Sequence, residues 1–341
     1  VTSLLEGVGF QSRARAHAAS ESSIEFGYVG DVNLPLSSQR DLTSSVLAQN
    51  IVIGIATAGR REQLRLTLQQ LSRQEVRPTR IIVCPAAPED FDAEAARALP
   101  YEVTLVHGPR GLPAQRNAIL RECTSAELVI FLDDDFYPAK DYVKQVLELF
   151  KARPDIVMAT HHPALDGGPG PGVTHEAALS AIAELERRTV TAVTAPTYGG
   201  YGCNMTIRLA PIREHQIWFD ERLPLYGWLE DIDFSRRVAP HGNIVSCSAL
   251  RGVHLGTKRG RTSGTRLGYS QIANPVYMLK KGSMNSGYAF RQMARNLAKN
   301  LVRSLHPEPW VDRRGRLKGN ALALLDLCSG QLAPERVLNL K

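Results

Sequence analysis

Asp133, Asp134 and Asp135 follow directly on the apolar run Leu128-Val129-Ile130-Phe131-Leu132. A short run rich in β-branched and aromatic residues that ends in acids reads as a buried strand delivering carboxylates to its C-terminal edge. Three like charges there repel one another and gain nothing from packing. A cation would offset that cost, and clustered carboxylate oxygens suit Mg²⁺ or Mn²⁺. A solvated acidic turn is the alternative, and the strand directly before the acids favours the metal. Adjacent strand residues face opposite ways, so Asp133 and Asp135 form a working pair and Asp134 points elsewhere.

The elements around the triplet read as alternating strands and helices. Ile51 to Ala56 is an unbroken apolar strand, followed by a turn at Thr57-Ala58-Gly59-Arg60 and a helix with Leu64, Leu68 and Leu71 on one face. Ile81-Ile82-Val83-Cys84 and Val103-Thr104-Leu105-Val106 are further strands, and Arg116 to Glu122 begins or continues a helix that leads to the strand ending at the aspartates. Such alternation predicts an α/β domain with a largely parallel sheet and helices on both faces. Ligands bind open sheets of this kind beyond the carboxyl ends of the strands, where Asp133 to Asp135 lie. Asp166 to Gly172 is a Gly/Pro-rich loop, 176–188 a helix, and Tyr198 to Asn204 another loop. Residues 1–48 are rich in Ser and weakly patterned, apart from a short strand at 23–26, and read as an appended segment.

The chain has 341 residues, 43% hydrophobic and 22% charged, with a net charge of +7. That is ordinary for a globular protein of one large or two smaller domains, with a modest preference for anionic partners. Five cysteines with no CxxC pair argue against a disulfide scaffold and for a reducing compartment. No apolar stretch reaches a membrane span of about 18 residues, and 1–6 lack a secretion profile. A cytoplasmic enzyme or adaptor is expected.

The order strand-Thr57-x-x-Arg60, Arg116-Asn117, Leu132-Asp133-Asp134-Asp135, Phe219-Asp220-Glu221 and Glu230-Asp231-x-Asp233 with Arg236 or Arg237 resembles an inverting GT-A glycosyltransferase of family 2. The resemblance covers roughly 50–260. It implies a Rossmann-like nucleotide half (49–138), an acceptor half (139–285), a divalent metal, and a C-terminal helical region (286–341). By that resemblance Asp135 binds Mn²⁺ or Mg²⁺, with His254 as a third ligand or a diphosphate contact. Asp133 meets the ribose or a metal-bound water. Thr57, Arg60, Arg116, Asp133 and Asp134 make up the donor side. Asp231 matches the family's base, which takes the proton of the acceptor hydroxyl. Glu230 and Asp233 orient the acceptor or brace the helix start, and Trp228 with Tyr226 offers a platform on which a sugar can stack. First-turn acids favoured by the helix dipole are the alternative for all three carboxylates. Lys258, Arg259 and Arg261 suit a basic loop that closes over a diphosphate. Members of the family often carry an acid just after the second strand, where it contacts uracil. Here that stretch reads Cys84-Pro85-Ala86-Ala87-Pro88-Glu89-Asp90, so UDP-, GDP- and dTDP-sugars all stay open as donors.

Near the C-terminus, Arg291, Arg295, Lys299 and Arg303 recur every fourth residue, opposite Met293, Leu297, Leu301 and Leu305. Such a helix either lies on anionic lipid or packs its apolar stripe on the domain. A final apolar helix is expected over 319–327. These features together point to a cytoplasmic enzyme, peripheral to the inner face of a membrane if the helix meets lipid. It would transfer sugar to a saccharide or lipid-linked acceptor in surface-polysaccharide or glycoconjugate synthesis. A nucleotidyltransferase on a similar sheet and a non-catalytic nucleotide-binding scaffold are the rivals. The turn after the first strand is too poor in Gly for the former, and both acidic groups are intact against the latter.

Overall fold

The computed structural model describes residues 50–260 and 262–340. The strand expected at 23–26, the rest of the N-terminal segment and Arg261 lie outside the described residues.

The first strand, β1 (Ile51–Thr57), lies parallel between β2 (Arg80–Pro85) and β4 (Leu128–Asp133). Its side chains alternate between the sheet faces. Ile51, Ile53 and Ile55 pack with Leu64, Leu68 and Leu71 of α1 (Arg61–Leu71) and with Val143, Val146 and Phe150 of α4 (Tyr142–Ala152). Val52 joins Ile119 of α3 (Leu112–Glu122) and Phe131 in a second core on the opposite face. With helices on both sides, positions 51–56 of the strand carry no polar side chain, which explains the unbroken run in the sequence.

The main sheet has eight strands in the order β3-β2-β1-β4-β9-β6-β10-β8. It includes β3 (Val103–Leu105), β6 (Ile156–Thr160), β8 (Thr194–Pro196), β9 (Asn204–Arg208) and β10 (Asn243–Cys247). The expected parallel arrangement holds from β3 to β4 and for β6 with β10. It fails at β9, which runs antiparallel between β4 and β6, and at β8, antiparallel to β10. Asn204 opens β9 opposite Leu132 at the end of β4, so the chain re-enters the sheet at the carboxyl edge and must run backwards. A small second sheet has the order β5-β11-β7, from β5 (Phe136–Pro138), β11 (Gly252–His254) and β7 (Leu165–Asp166). Only Asp134 and Asp135 separate β4 from β5, which places the triplet at the crease between the two sheets.

Helix positions differ from expectation mainly at their polar starts. The helix α3 begins at Leu112, ahead of 116, with a proline in its first turn. Between β7 and β8 lies α5 (His175–Glu186). The final helix, α10 (Arg313–Cys328), starts ahead of 319 because its first turns dock through buried Arg313 and Asn320, which carry no apolar signal. Beside it are α8 (Gly264–Lys281) and α9 (Ser286–Arg303). In α9 only Ala289 and Asn300 are buried. Its expected apolar stripe is therefore split: Met293 packs against Tyr269 and Ile272, whereas Leu301 and Leu305 are exposed. No described helix is long and apolar enough to cross a membrane, and all five cysteines are free.

Candidate active site

Asp133, Asp135 and His254 converge at the crease, with one potential ligand atom from each lying within 4.8 Å of the others. His254 Nε2 stands 3.3 Å from Asp135 Oδ1 and 3.9 Å from Asp133 Oδ2. Asp135 Oδ1 is buried and accepts no hydrogen bond, while Oδ2 accepts one from the Thr257 N–H at 2.7 Å. An orphaned buried carboxylate oxygen beside an imidazole nitrogen and a second carboxylate is a donor set that fits a divalent cation. Burial works against a charge on His254, but its contacts with Asp135 and Asp166 prevail and push it up to about 10. Burial likewise opposes the charge on Asp135, and His254 holds that carboxyl well below the usual range.

The orientation of His254 comes from a residue that the sequence reading left inside a loop. Asp166 Oδ1 lies 2.8 Å from His254 Nδ1, and Asp166 also accepts hydrogen bonds from the Gly168 N–H and the Tyr201 hydroxyl. The Gly-rich segment packs directly on β11. Gly256 has φ +64°, and a Cβ there would come within 2.2 Å of the Gly167 carbonyl carbon. Lys258 Nζ donates to the carbonyls of Gly167 and Gly168, so it braces this loop. The run of glycines after an acid was the one available signal for Asp166.

Asp134 has a separate task. It is buried, and its carboxylate accepts from the Thr57 hydroxyl at 2.6 Å and from Arg60 Nη1 at 2.8 Å. Arg60 in turn donates to the carbonyls of Thr257 and Arg259. Thr57, Arg60 and Asp134 therefore satisfy one another and tie β1 to the segment after β11. Asp90 is spent similarly, accepting from the Gly59 N–H at 2.7 Å.

Arg116 lies between the two acidic groups. Its guanidinium is buried, pairs with Glu230, donates to the Gly202 carbonyl at 2.7 Å and sits 3.4 Å from Asp133. Burial opposes its charge, and Glu230 with Asp133 and Asp231 holds it up. These contacts join the two acidic groups. Glu230 opens α7 (Glu230–Val238) after a loop in which Leu225, Gly227 and Leu229 all have positive φ. Such strain persists only where surrounding contacts over-determine it.

Asp231, one residue on, is partly exposed. Its Oδ2 accepts from the Gly202 N–H at 3.0 Å and its Oδ1 from the Ile232 N–H. Burial nevertheless raises its carboxyl above the ordinary value, against the pull of Arg116. Asp233 is fully buried, bound by Arg237, Lys281 and Ser283. Through these contacts it braces α7 against α8. Trp228 is partly exposed and stacks with exposed Tyr226 at 6.4 Å between centroids. Asn117 holds the Phe219 backbone and Glu221.

Residues 52–210 match the family model described as Glycosyl transferase family 2, whereas no curated protein matches the sequence. Among solved structures, the chain is similar to Staphylococcus aureus TarS 1-349 in complex with UDP-GlcNAc, at 17% identity. It covers 85% of this chain and 83% of that one, with TM-score 0.51. Pyrobaculum calidifontis mannosyltransferase PcManGT, in complex with GDP-Man and Mn²⁺, is 15% identical, with 85% of each chain covered and TM-score 0.50. Against a longer S. aureus TarS chain the identity is 16% and the TM-score 0.48; 76% of this chain is covered but only 46% of that one. Residues 52–210 thus carry a match to glycosyl transferase family 2, and the fold is that of the GT-A glycosyltransferase structures the chain is similar to.

Proposed function

We propose that the protein transfers a sugar, with inversion, from a nucleotide-diphosphate donor to a hydroxyl of a saccharide or lipid-linked acceptor. The context would be bacterial surface-polysaccharide or glycoconjugate synthesis by an enzyme peripheral to the inner face of a membrane. The observation that carries this reading is the pair of acidic groups joined through Arg116. Asp133 and Asp135 stand with His254 on one side, and Asp231 stands on the other.

Asp133, Asp135 and His254 would hold Mn²⁺ or Mg²⁺, which when bound neutralises a diphosphate leaving group and fixes its position. Asp231 accepts the proton of the acceptor hydroxyl. As that proton leaves, the hydroxyl oxygen forms a bond to the anomeric carbon from the face opposite the phosphate. The bond from that carbon to the phosphate oxygen breaks, and the nucleoside diphosphate departs. A partly exposed carboxylate with a raised pKa is a stronger base than an ordinary one and suits this task. Trp228 and Tyr226, beside the base, would stack on the acceptor, while Glu230 would keep Arg116 in place. Residues 49–138 would serve the nucleotide and 139–285 the acceptor. Two proteins of similar fold bind UDP-GlcNAc and GDP-Man, so both donor bases enter the test.

The experiment is transfer from UDP-, GDP- and dTDP-sugars with Mn²⁺ or Mg²⁺, with product anomers read by NMR. Inverted product from one donor, lost in Asp231→Asn with nucleotide binding kept, is the expected result. A retained anomeric configuration overturns inversion, and release of pyrophosphate would favour a nucleotidyltransferase.

A further inference from the structure

We propose that the outward face of α9 is a lipid-docking surface that seats the enzyme on a bilayer rich in anionic lipid. It names the surface behind the membrane-peripheral part of the reading above, and lipid binding can be tested without any transfer.

The helix is attached along one side, where Ala289 packs with Met278 and Met284, Met293 meets Tyr269 and Ile272, and Asn300 makes a polar anchor. Asn300 is buried, and its side-chain amide donates to Gln271 of α8 and to Asn320 of α10, while its oxygen accepts from Arg313. Away from that side, Phe290 is 65% exposed, Leu301 57%, Val302 65% and Leu305, just past the helix end, 73%. At ~100° per residue, Phe290, Ala294, Leu301 and the direction continued by Leu305 fall within about 60° of one another, with Val302 at the margin. Three large apolar side chains on one face, Phe290, Leu301 and Leu305, stand to gain by leaving water.

Charge decides what covers them. Arg291, Arg295, Lys299 and Arg303 lie roughly 80–220° round the helix from Phe290 and Leu301, so the basic row faces away from the apolar one, and residues 286–303 contain no acid. Anionic headgroups would meet the basic row while the apolar face enters the acyl boundary, the arrangement of interfacial helices. Each Lys or Arg near such a surface strengthens binding by about fivefold, at ~1 kcal/mol each. The following segment continues in the same style, with Trp310 partly exposed and Arg314 and Lys318 exposed at the start of α10.

The test is co-sedimentation of the full chain with phosphatidylcholine vesicles, with and without phosphatidylglycerol. Binding is expected only with the anionic lipid and should weaken as salt rises. Arg295→Glu with Lys299→Glu should lower it by at least tenfold, and Phe290→Ser with Leu301→Ser should do the same. Arg295→Lys should retain it. Thermal midpoints and nucleotide binding of these variants should match the parent, because the substituted side chains are exposed or only half-buried. Equal binding of parent and variants, or no binding of the parent, overturns the proposal. A dimer in sedimentation that Leu301→Ser dissociates would assign the face to a second copy instead.

Discussion

His254 presents Nδ1 to Asp166 Oδ1 at 2.8 Å and, on the opposite side of the ring, Nε2 to Asp135 Oδ1 at 3.3 Å. Asp166 thereby fixes the ring plane and reserves Nε2 for the crease. A carboxylate behind a ligating imidazole orients the ring and raises its basicity.

Asp166→Asn should therefore weaken Mn²⁺ binding by about 10–100-fold. Titration of the free protein followed by electron paramagnetic resonance measures it without a substrate. An unchanged affinity would remove Asp166 from the site.

The Gly256 turn allows the same question to be asked through the backbone. Gly256→Ala puts a Cβ against Gly167 and demands φ +64° of an L side chain, a strain of about 1–3 kcal/mol. Denaturation should show a loss of that order, with Mn²⁺ affinity falling as the loop carrying Asp166 shifts.

Arg116 leads to a prediction about stability. Arg116→Met leaves Glu230 buried with no counter-ion, which costs about 3–5 kcal/mol. Adding Glu230→Leu to that variant should recover most of the loss, because two apolar groups replace the pair. Urea midpoints of the single and double variants give the comparison; equal loss in both would mean the pair is not what holds α7 to α3.

Asp231 must be ionised to take a proton, and burial raises its pKa above the ordinary 3.8. The acid limb of kcat/KM should lie above that value, with activity falling as the pH drops through it. Asp231→Asn should lower kcat by about 10²–10⁴-fold. A carboxyl with a raised folded pKa contributes its stability below the unfolded pKa and loses it as pH rises through the folded one. At neutral pH the Asn variant should therefore melt no lower than the parent, a result that calorimetry can check.

The strand that carries the triplet and the alternation of β1, α1 and β2 were legible in the residues alone. Those features are local: an apolar run of strand length, a period of two, and acids at its end. The sequence also brought His254 and Asp231 forward, though only through the family's order of motifs. Tertiary structure decided what each remaining polar group faces. The sequence does not say what Arg116 and Asp233 face, and only packing revealed that one bridges two acidic groups and the other is sealed between α7 and α8. Asp166 reaches His254 across 88 residues, a contact that no spacing rule encodes. The direction of β9 and the outward turn of α9 were likewise settled by which surfaces were already covered. A pattern of hydrophobicity states that a face is apolar; whether a neighbour arrives to bury it depends on the rest of the chain.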